Sequence, residues 1–366
     1  MNKKVGLSIL LIVIVVVLIV LSRHSGTAVI PVEHPIKVGV LLPLSGDTAV
    51  SGEKLSRGIA LAQKDLAESG VTFVIQDTKN RPADTISAAK QLMDTQHVDV
   101  FVGPYGPDEA IALAPVAAAQ NKNVFALSYC SSSFVSLKNV WCAYPTAPVQ
   151  LQGLVPIFKS RNIETIAILD SNTDFGIDSD KTMKAMAAAN NYQIVYSDFS
   201  KAGERNFRTY VTKIMAQKPD VVFMASDNPT DTLTFMKQLH EAGYKGTRVT
   251  FIDVDSKNLE GFGESVEGTI APGIAPTHFS KEFTKLYHAA YNAEPDYYSA
   301  MAWDVVHDVV NALDHRDRNF AVLGDAVTNT AYSDPAIGNF RYLPDRTVLY
   351  DMEVNVVKDG KYVPYE

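Results

Sequence analysis

Ile36-Lys-Val-Gly-Val-Leu-Leu-Pro-Leu-Ser-Gly46 decides how the rest of the chain is read. A short apolar and β-branched run ends in a Pro, Ser and Gly turn, and an amphipathic run from Ser51 to Glu68 follows. Strand, tight turn and helix in that order make the unit from which parallel sheets with flanking helices are built. The alternation continues with strands at Thr72 to Gln76, Val98 to Val102 and Val124 to Leu127, and helices at Ala83 to Asp94 and Glu109 to Gln120. Gly and Pro cluster just after two of the strands, at Leu42 to Gly46 and at Gly103-Pro-Tyr-Gly-Pro107. Those are the carboxyl ends of strands, where open α/β sheets bind ligands.

At Tyr144-Pro-Thr-Ala-Pro148 the alternation breaks, then restarts with a helix from Gln150 to Lys159 and a strand from Thr165 to Leu169. Further strands are expected at Gln193 to Tyr196, Val221 to Ala225 and Val249 to Ile252, separated by helices at Ser179 to Ala189, Phe207 to Gln217 and Thr230 to Ala242. A second Pro and Gly break, Ala271 to Pro276, precedes helices at Ser280 to Tyr291 and Tyr297 to Leu313, and β character returns at Arg346 to Val357. Two similar α/β units joined through Pro-bearing crossings predict a hinged pair of lobes that closes on a small ligand.

Ahead of this body stands Met1-Asn-Lys-Lys4, an apolar run from Val5 to Leu21, then Ser22-Arg-His24, the pattern of an export segment. Roughly 17 apolar residues lie between a cleavable apolar core and a membrane span. Gly26-Thr-Ala28 offers a cleavage site, yet the length favours an uncleaved anchor, so residues 1–28 are read as a signal sequence or membrane anchor. Lys3 and Lys4 outweigh Arg23, which keeps the N-terminus cytoplasmic and places the body in the periplasm or on the outer face of the cytoplasmic membrane.

With 46% hydrophobic and 20% charged residues in 366, the chain is globular. A formal charge of -8, with no Lys/Arg run beyond the leader, excludes a nucleic-acid surface. Cys130 and Cys142 are the two cysteines, read as a disulfide in an oxidising compartment or else as two buried thiols. No catalytic fingerprint is present: there is no GxSxG, HExxH or GxxxxGK[ST], and no GxGxxG after the first strand. No metal or other cofactor is expected, and Asp304, His307 and Asp308 on one helix read as a solvated face.

Several stretches together resemble the type I periplasmic binding proteins, most closely the leucine/isoleucine/valine-binding branch. Ile36 to Gly46 with Gly52 and Arg57-Gly58 is similar to that family's opening strand, turn and helix. Val98-Asp-Val-Phe-Val-Gly-Pro104 with Ala114-Pro-Val116 is similar to its third strand and helix. Asp174-Phe-Gly176, Phe207 to Ala225 and Tyr297 to Asp304 extend the likeness to the C-terminal part. The resemblance implies two doubly wound lobes joined by three crossings, near Thr146, Gly273 and Gly338-Asn-Phe340. Lobe 1 is then 36–146 with 274–334, and lobe 2 is 147–273 with 335–366. It also implies a monomeric body that captures a small amino acid or amide-like ligand and hands it to an ABC permease. The alternative is a membrane-anchored sensor or accessory receptor without a transport role.

A buried zwitterion needs partners for both charges. For the carboxylate, the resemblance points to Tyr105, Gly106 and Pro107 at a helix start and to Ser131 and Ser132 after the fourth strand. Pro107 stands where the family has a Ser, and Cys130-Ser-Ser132 replaces its second hydroxyl-bearing run. Ser131 to Ser133 also read as a polar turn. For the ammonium, Asp255, or Asp253 if the loop shifts, and Asp227 are the candidates, with helix capping an equal reading of Asp227. Tyr105, Tyr129, Phe175 and Tyr298 are expected to line the pocket for apolar or aromatic groups.

Overall fold

The computed structural model describes residues 36–251, 259, 261–273, 279–314, 323–330, 332–350 and 352–366. Asp253, Asp255 and the leader of residues 1–28 lie outside these described residues. Among the described residues no helix is long and apolar enough to cross a membrane.

Fourteen strands are organised into two large sheets and one small ribbon among the described residues. The first sheet takes β1 (Ile36–Leu42), β2 (Val71–Asp77), β3 (Val100–Val102), β4 (Val124–Tyr129) and β5 (Val140–Tyr144) in the order β2-β1-β3-β4-β5, every neighbour parallel. Helices α1 (Ala49–Asp65), α2 (Pro82–Gln91) and α3 (Pro107–Ala118) make the crossovers. β3, β4 and β5 are buried throughout, which is why they read as unbroken apolar runs rather than alternating ones.

Two short helices, α4 (Ala147–Gln152) and α5 (Leu154–Ser160), lead into the second sheet. Sequence reading expects one helix here from Gln150; the chain is divided at Gly153, and Pro156 in the second piece has no N–H to give back to the first. β6 (Thr165–Ser171), α6 (Asp174–Ala189), β7 (Gln193–Ser200), α7 (Arg208–Gln217), β8 (Val221–Met224), α8 (Pro229–Glu241) and β9 (Thr247–Thr250) follow. β10 (Ile270–Gly273) then joins β9 in parallel, so the order β7-β6-β8-β9-β10 repeats that of the first sheet. Ala271 to Gly273, expected as a break, are therefore strand: Pro272 still offers its carbonyl and occupies a β conformation within the pairing with β13 (Glu353–Lys358). β13 and β14 (Lys361–Pro364) close that edge antiparallel.

Between these two sheet segments run α9 (Lys281–Tyr291), α10 (Tyr297–Asp314), α11 (Leu323–Asn329) and the ribbon β11 (Arg341–Tyr342) with β12 (Val348–Leu349). α10 returns to the first sheet and packs along α1, so closely that a Cβ on Gly58 would lie 2.0 Å from the carbonyl oxygen of Ser299. Asp304, His307 and Asp308 on α10 are buried, not solvated. Asp304 accepts the N–H groups of Ala336 and Ile337, Asp308 accepts that of Tyr332 at 2.7 Å, and His307 meets Asp65 at 3.0 Å. Asp304 and Asp308 hold the connection to the C-terminal strands and His307 ties α10 to α1, which helix periodicity alone does not reveal. Cys130 and Cys142 form a disulfide with Cα atoms 5.3 Å apart, tying the end of β4 to β5.

Candidate functional site

Strand carboxyl ends from both sheets converge on one cavity. Its walls are Tyr105 and Pro107 after β3, Leu127, Ser128 and Tyr129 closing β4, and Tyr144 closing β5. Phe175 after β6, Asp227 after β8 and Phe251 after β9 face them, and Tyr297, Tyr298 and Met301 arrive on the first turns of α10. In each sheet this is the crevice outside the strand ends, where strand order reverses and loops can diverge to admit a ligand. The space among these residues, counted out to the open solvent at its mouth, is about 470 Å³. That falls within the size range of small-molecule sites.

Two aromatic groups shape it. Phe175 stacks on Phe251 with centroids 5.5 Å apart, and Tyr129 meets Phe175 edge-on at 4.8 Å. Opposite, the Tyr105 and Tyr298 hydroxyls are 3.2 Å apart and Tyr298 lies against Tyr297 with centroids 3.9 Å apart. Rings of this kind present large flat faces with polar rims, suited to apolar groups and, over the face, to cations.

Asp227 is the one acidic or basic side chain among the described lining residues. Part of its surface opens to the cavity, yet the group sits deep in the protein, and burial pushes its carboxyl up to about 7, helped by the negative charges of Asp108, Asp231 and Glu109. Capping of α8 falls to its neighbour instead: Asn228 accepts the Thr230 N–H at 3.0 Å, and Pro229 takes the first helical position. Asp227 is thereby left to face the cavity.

The loops of the first sheet reach the second directly. Tyr129 donates its hydroxyl hydrogen to Asp178 Oδ2 at 2.6 Å, and the Ser132 N–H donates to Asp178 Oδ1 at 3.2 Å. Ser133 Oγ donates to Asp174 Oδ1 at 2.6 Å, while the Asp174 N–H donates to Asp108 Oδ1 at 3.3 Å. Burial and the neighbouring Asp178 charge hold the Tyr129 phenol well above its ordinary range. Burial likewise raises the Asp108 carboxyl.

Of the residues singled out from the sequence, Tyr105, Pro107, Tyr129, Phe175, Asp227 and Tyr298 meet at the cavity. Gly106, Ser131 and Ser132 stand outside the described lining: the Gly106 N–H donates to Glu109, Ser131 is buried with its hydroxyl lacking a hydrogen-bond partner, and Ser132 serves Asp178. Leu127, Ser128, Phe251, Tyr297 and Met301 were not foreseen. Their strand-end and helix-start positions were the available signal. Among the described residues no group of three or more His, Cys, Asp or Glu is placed to hold a metal ion.

The comparisons with known proteins agree with this architecture. A Leu/Ile/Val-binding protein homolog from Brucella abortus is 25% identical over 346 residues, covering 90% of this chain and 89% of its own length. The structure of a leucine binding protein from Thermotoga maritima superposes with a TM-score of 0.85 at 19% identity, covering 90% of this chain and 98% of that one. A solute binding protein of an ABC transporter from R. palustris, solved in complex with 4-hydroxybenzoate, gives 0.81 at 22% identity, covering 90% and 95%. The family model described as periplasmic binding protein matches residues 35–361. A fold of two doubly wound sheets meeting at their strand ends, matched over that span, places the chain in the periplasmic binding protein family, whose members bind solutes rather than convert them.

Proposed function

We propose that the protein works outside the cytoplasm, takes a small amino acid or amide-like solute into the cleft between two lobes, and delivers it to an ABC-type importer. Residues 36–146 with 274–334 form one lobe in this reading, and 147–273 with 335–366 the other. The observation that carries it is the composition of the cavity wall: Tyr105, Tyr129 and Tyr144 come from the first sheet's strand ends and Phe175, Asp227 and Phe251 from the second's. A ligand held by both sets favours the closed arrangement by its extra contacts there, which is how a closed receptor is distinguished by a transporter. Asp227 is the partner for a nitrogen-bearing group, and the aromatic faces take the ligand's body.

A thermal-shift screen of the purified full chain against amino acids, amines, small amides, aromatic acids and purines tests this. A solute present at about one hundred times its dissociation constant stabilises the folded state by about 2.7 kcal/mol, a shift of several degrees. Saturable stabilisation by at least one compound is expected. Absence of any shift across the panel would remove the receptor reading.

A further inference from the structure

At the start of the helix Pro107–Ala118 the Gly106 N–H donates to Glu109 Oε2 at 2.8 Å, and Thr85 Oγ1 donates to Oε1 of the same carboxylate at 2.5 Å. The next residue, Pro107, has no N–H to offer. The leading donor at this helix end is thus taken by the chain's own carboxylate, and the second does not exist. On the neighbouring loop Asp178 takes the Tyr129 hydroxyl and the Ser132 N–H. Three donors beside the cavity, the Gly106 and Ser132 N–H groups and the Tyr129 hydroxyl, are therefore satisfied by internal carboxylates, while the buried Ser131 hydroxyl is not.

Charge points the same way. Asp227 is the one acidic or basic side chain among the described lining residues, and the acids that bear on it are Asp108 and Glu109 of the helix Pro107–Ala118 and Asp231 of the helix that follows Asp227. Asp231 is paired with Arg205, whose guanidinium also stands 3.8 Å from Asp47. Lys54 lies over the ring of Tyr298, 5.6 Å from its centroid, and is not among the described lining residues; Asp296 counters its charge. A carboxylate ligand would enter a space beside which Asp227, Asp108, Glu109 and Asp231 stand, with three nearby donors already engaged. An ammonium would meet a carboxylate within aromatic walls, a setting that stabilises cations both by pairing and through ring faces.

Resting on the receptor reading above but departing from its amino acid or amide ligand, we propose that the cleft selects a small cationic amine with an apolar or aromatic body and no carboxylate, its ammonium facing Asp227. Entry of such a ligand draws the Asp227 carboxyl, otherwise pushed up to about 7, into its ionised form. Amine affinity therefore rises from pH 6 to pH 8, whereas an anionic ligand shows the opposite slope.

Calorimetric titration of the full chain with matched compounds tests this: phenethylamine against phenylalanine, isoamylamine against leucine and isovaleramide, and benzoate, at pH 6 and pH 8. Each amine is expected to bind about tenfold or more tightly than its amino acid, and Asp227→Asn to weaken amine binding about thirtyfold while circular dichroism shows unchanged folding. Phenylalanine, leucine, isovaleramide or benzoate binding as tightly as the amines would overturn the proposal while leaving the receptor intact. Wild-type amine affinity in Asp227→Asn would overturn it as well. Folded protein that binds none of these compounds would remove the receptor reading for this ligand range together with the proposal.

Discussion

Tyr129, closing a strand of the first sheet, and Asp178, on the helix that follows the first strand of the second, are joined by a hydrogen bond of 2.6 Å, and the same hydroxyl accepts the Ala147 N–H at 2.9 Å. One phenol therefore links a cavity wall of the first sheet, the helix that follows the second sheet's first strand, and the start of the segment that joins the two sheets. The chain itself contributes to holding the two sides together, and a ligand adds to an attraction already present.

If the two sheets close on a ligand as proposed, removing that hydroxyl should shift the balance toward an open form. A hydrogen bond to a carboxylate contributes about 1.5–3 kcal/mol once competition from water is included. Tyr129→Phe keeps the ring against Phe175 but loses the link, so the unliganded protein should expand in small-angle scattering and ligand affinity should fall roughly tenfold. An unchanged radius of gyration and unchanged affinity would show that the bond carries no weight in closure.

Buried acids on the long return helix set a pH dependence of stability. Burial pushes the Asp308 carboxyl up to about 7, above its ordinary 3.8, with the Tyr332 N–H bond opposing. The folded state then holds a proton that the unfolded state has released, so the contribution is complete below about pH 4 and is lost as pH rises toward 7. Within that window the loss approaches about 1.4 kcal/mol per pH unit for this group. Asp308→Asn, neutral throughout, should flatten the profile; denaturant titrations at pH 4.5, 6 and 7.5 that gave parallel curves for both proteins would refute this.

How much of this was readable from the sequence follows from what each signal measures. The strand at Ile36 and its Ser-Gly turn announced a doubly wound fold because apolar period and turn residues are local properties. Tyr105, Tyr129 and Asp227 were reachable because they follow strands, and strand ends are where such folds place ligands. Asp304 and His307 were misread as solvated, since their partners Ala336, Ile337 and Asp65 are distant in sequence and no helical pattern encodes them. The capture of Gly106 by Glu109 had a legible spacing, three residues apart at a helix start, but its meaning for the ligand needed the cavity beside it.

Close helix contact makes Gly58 intolerant of any side chain. A Cβ there would lie 2.0 Å from the Ser299 carbonyl oxygen, which is backbone within a helix start and cannot rotate away. Gly58→Ala should cost at least about 2 kcal/mol despite the better helix propensity of Ala, because α1 and α10 would have to separate. Equilibrium urea unfolding measures it; a midpoint at or above that of the wild type would show that the two helices have slack.

The Cys130–Cys142 bond spans twelve positions and joins β5 to the residue just past Tyr129. By the chain-entropy relation a loop of that length stabilises by about 3 kcal/mol, acting on the unfolded chain. The paired replacement Cys130→Ser with Cys142→Ser should therefore lower stability by up to that amount and, because Leu127, Ser128 and Tyr129 form the adjoining cavity wall, weaken ligand binding as well. Reductant added to the wild type should reproduce both changes and leave the serine variant unaffected. Equal melting temperatures for oxidised, reduced and serine forms would show that the sheet pairing of β4 with β5 positions the wall without the crosslink.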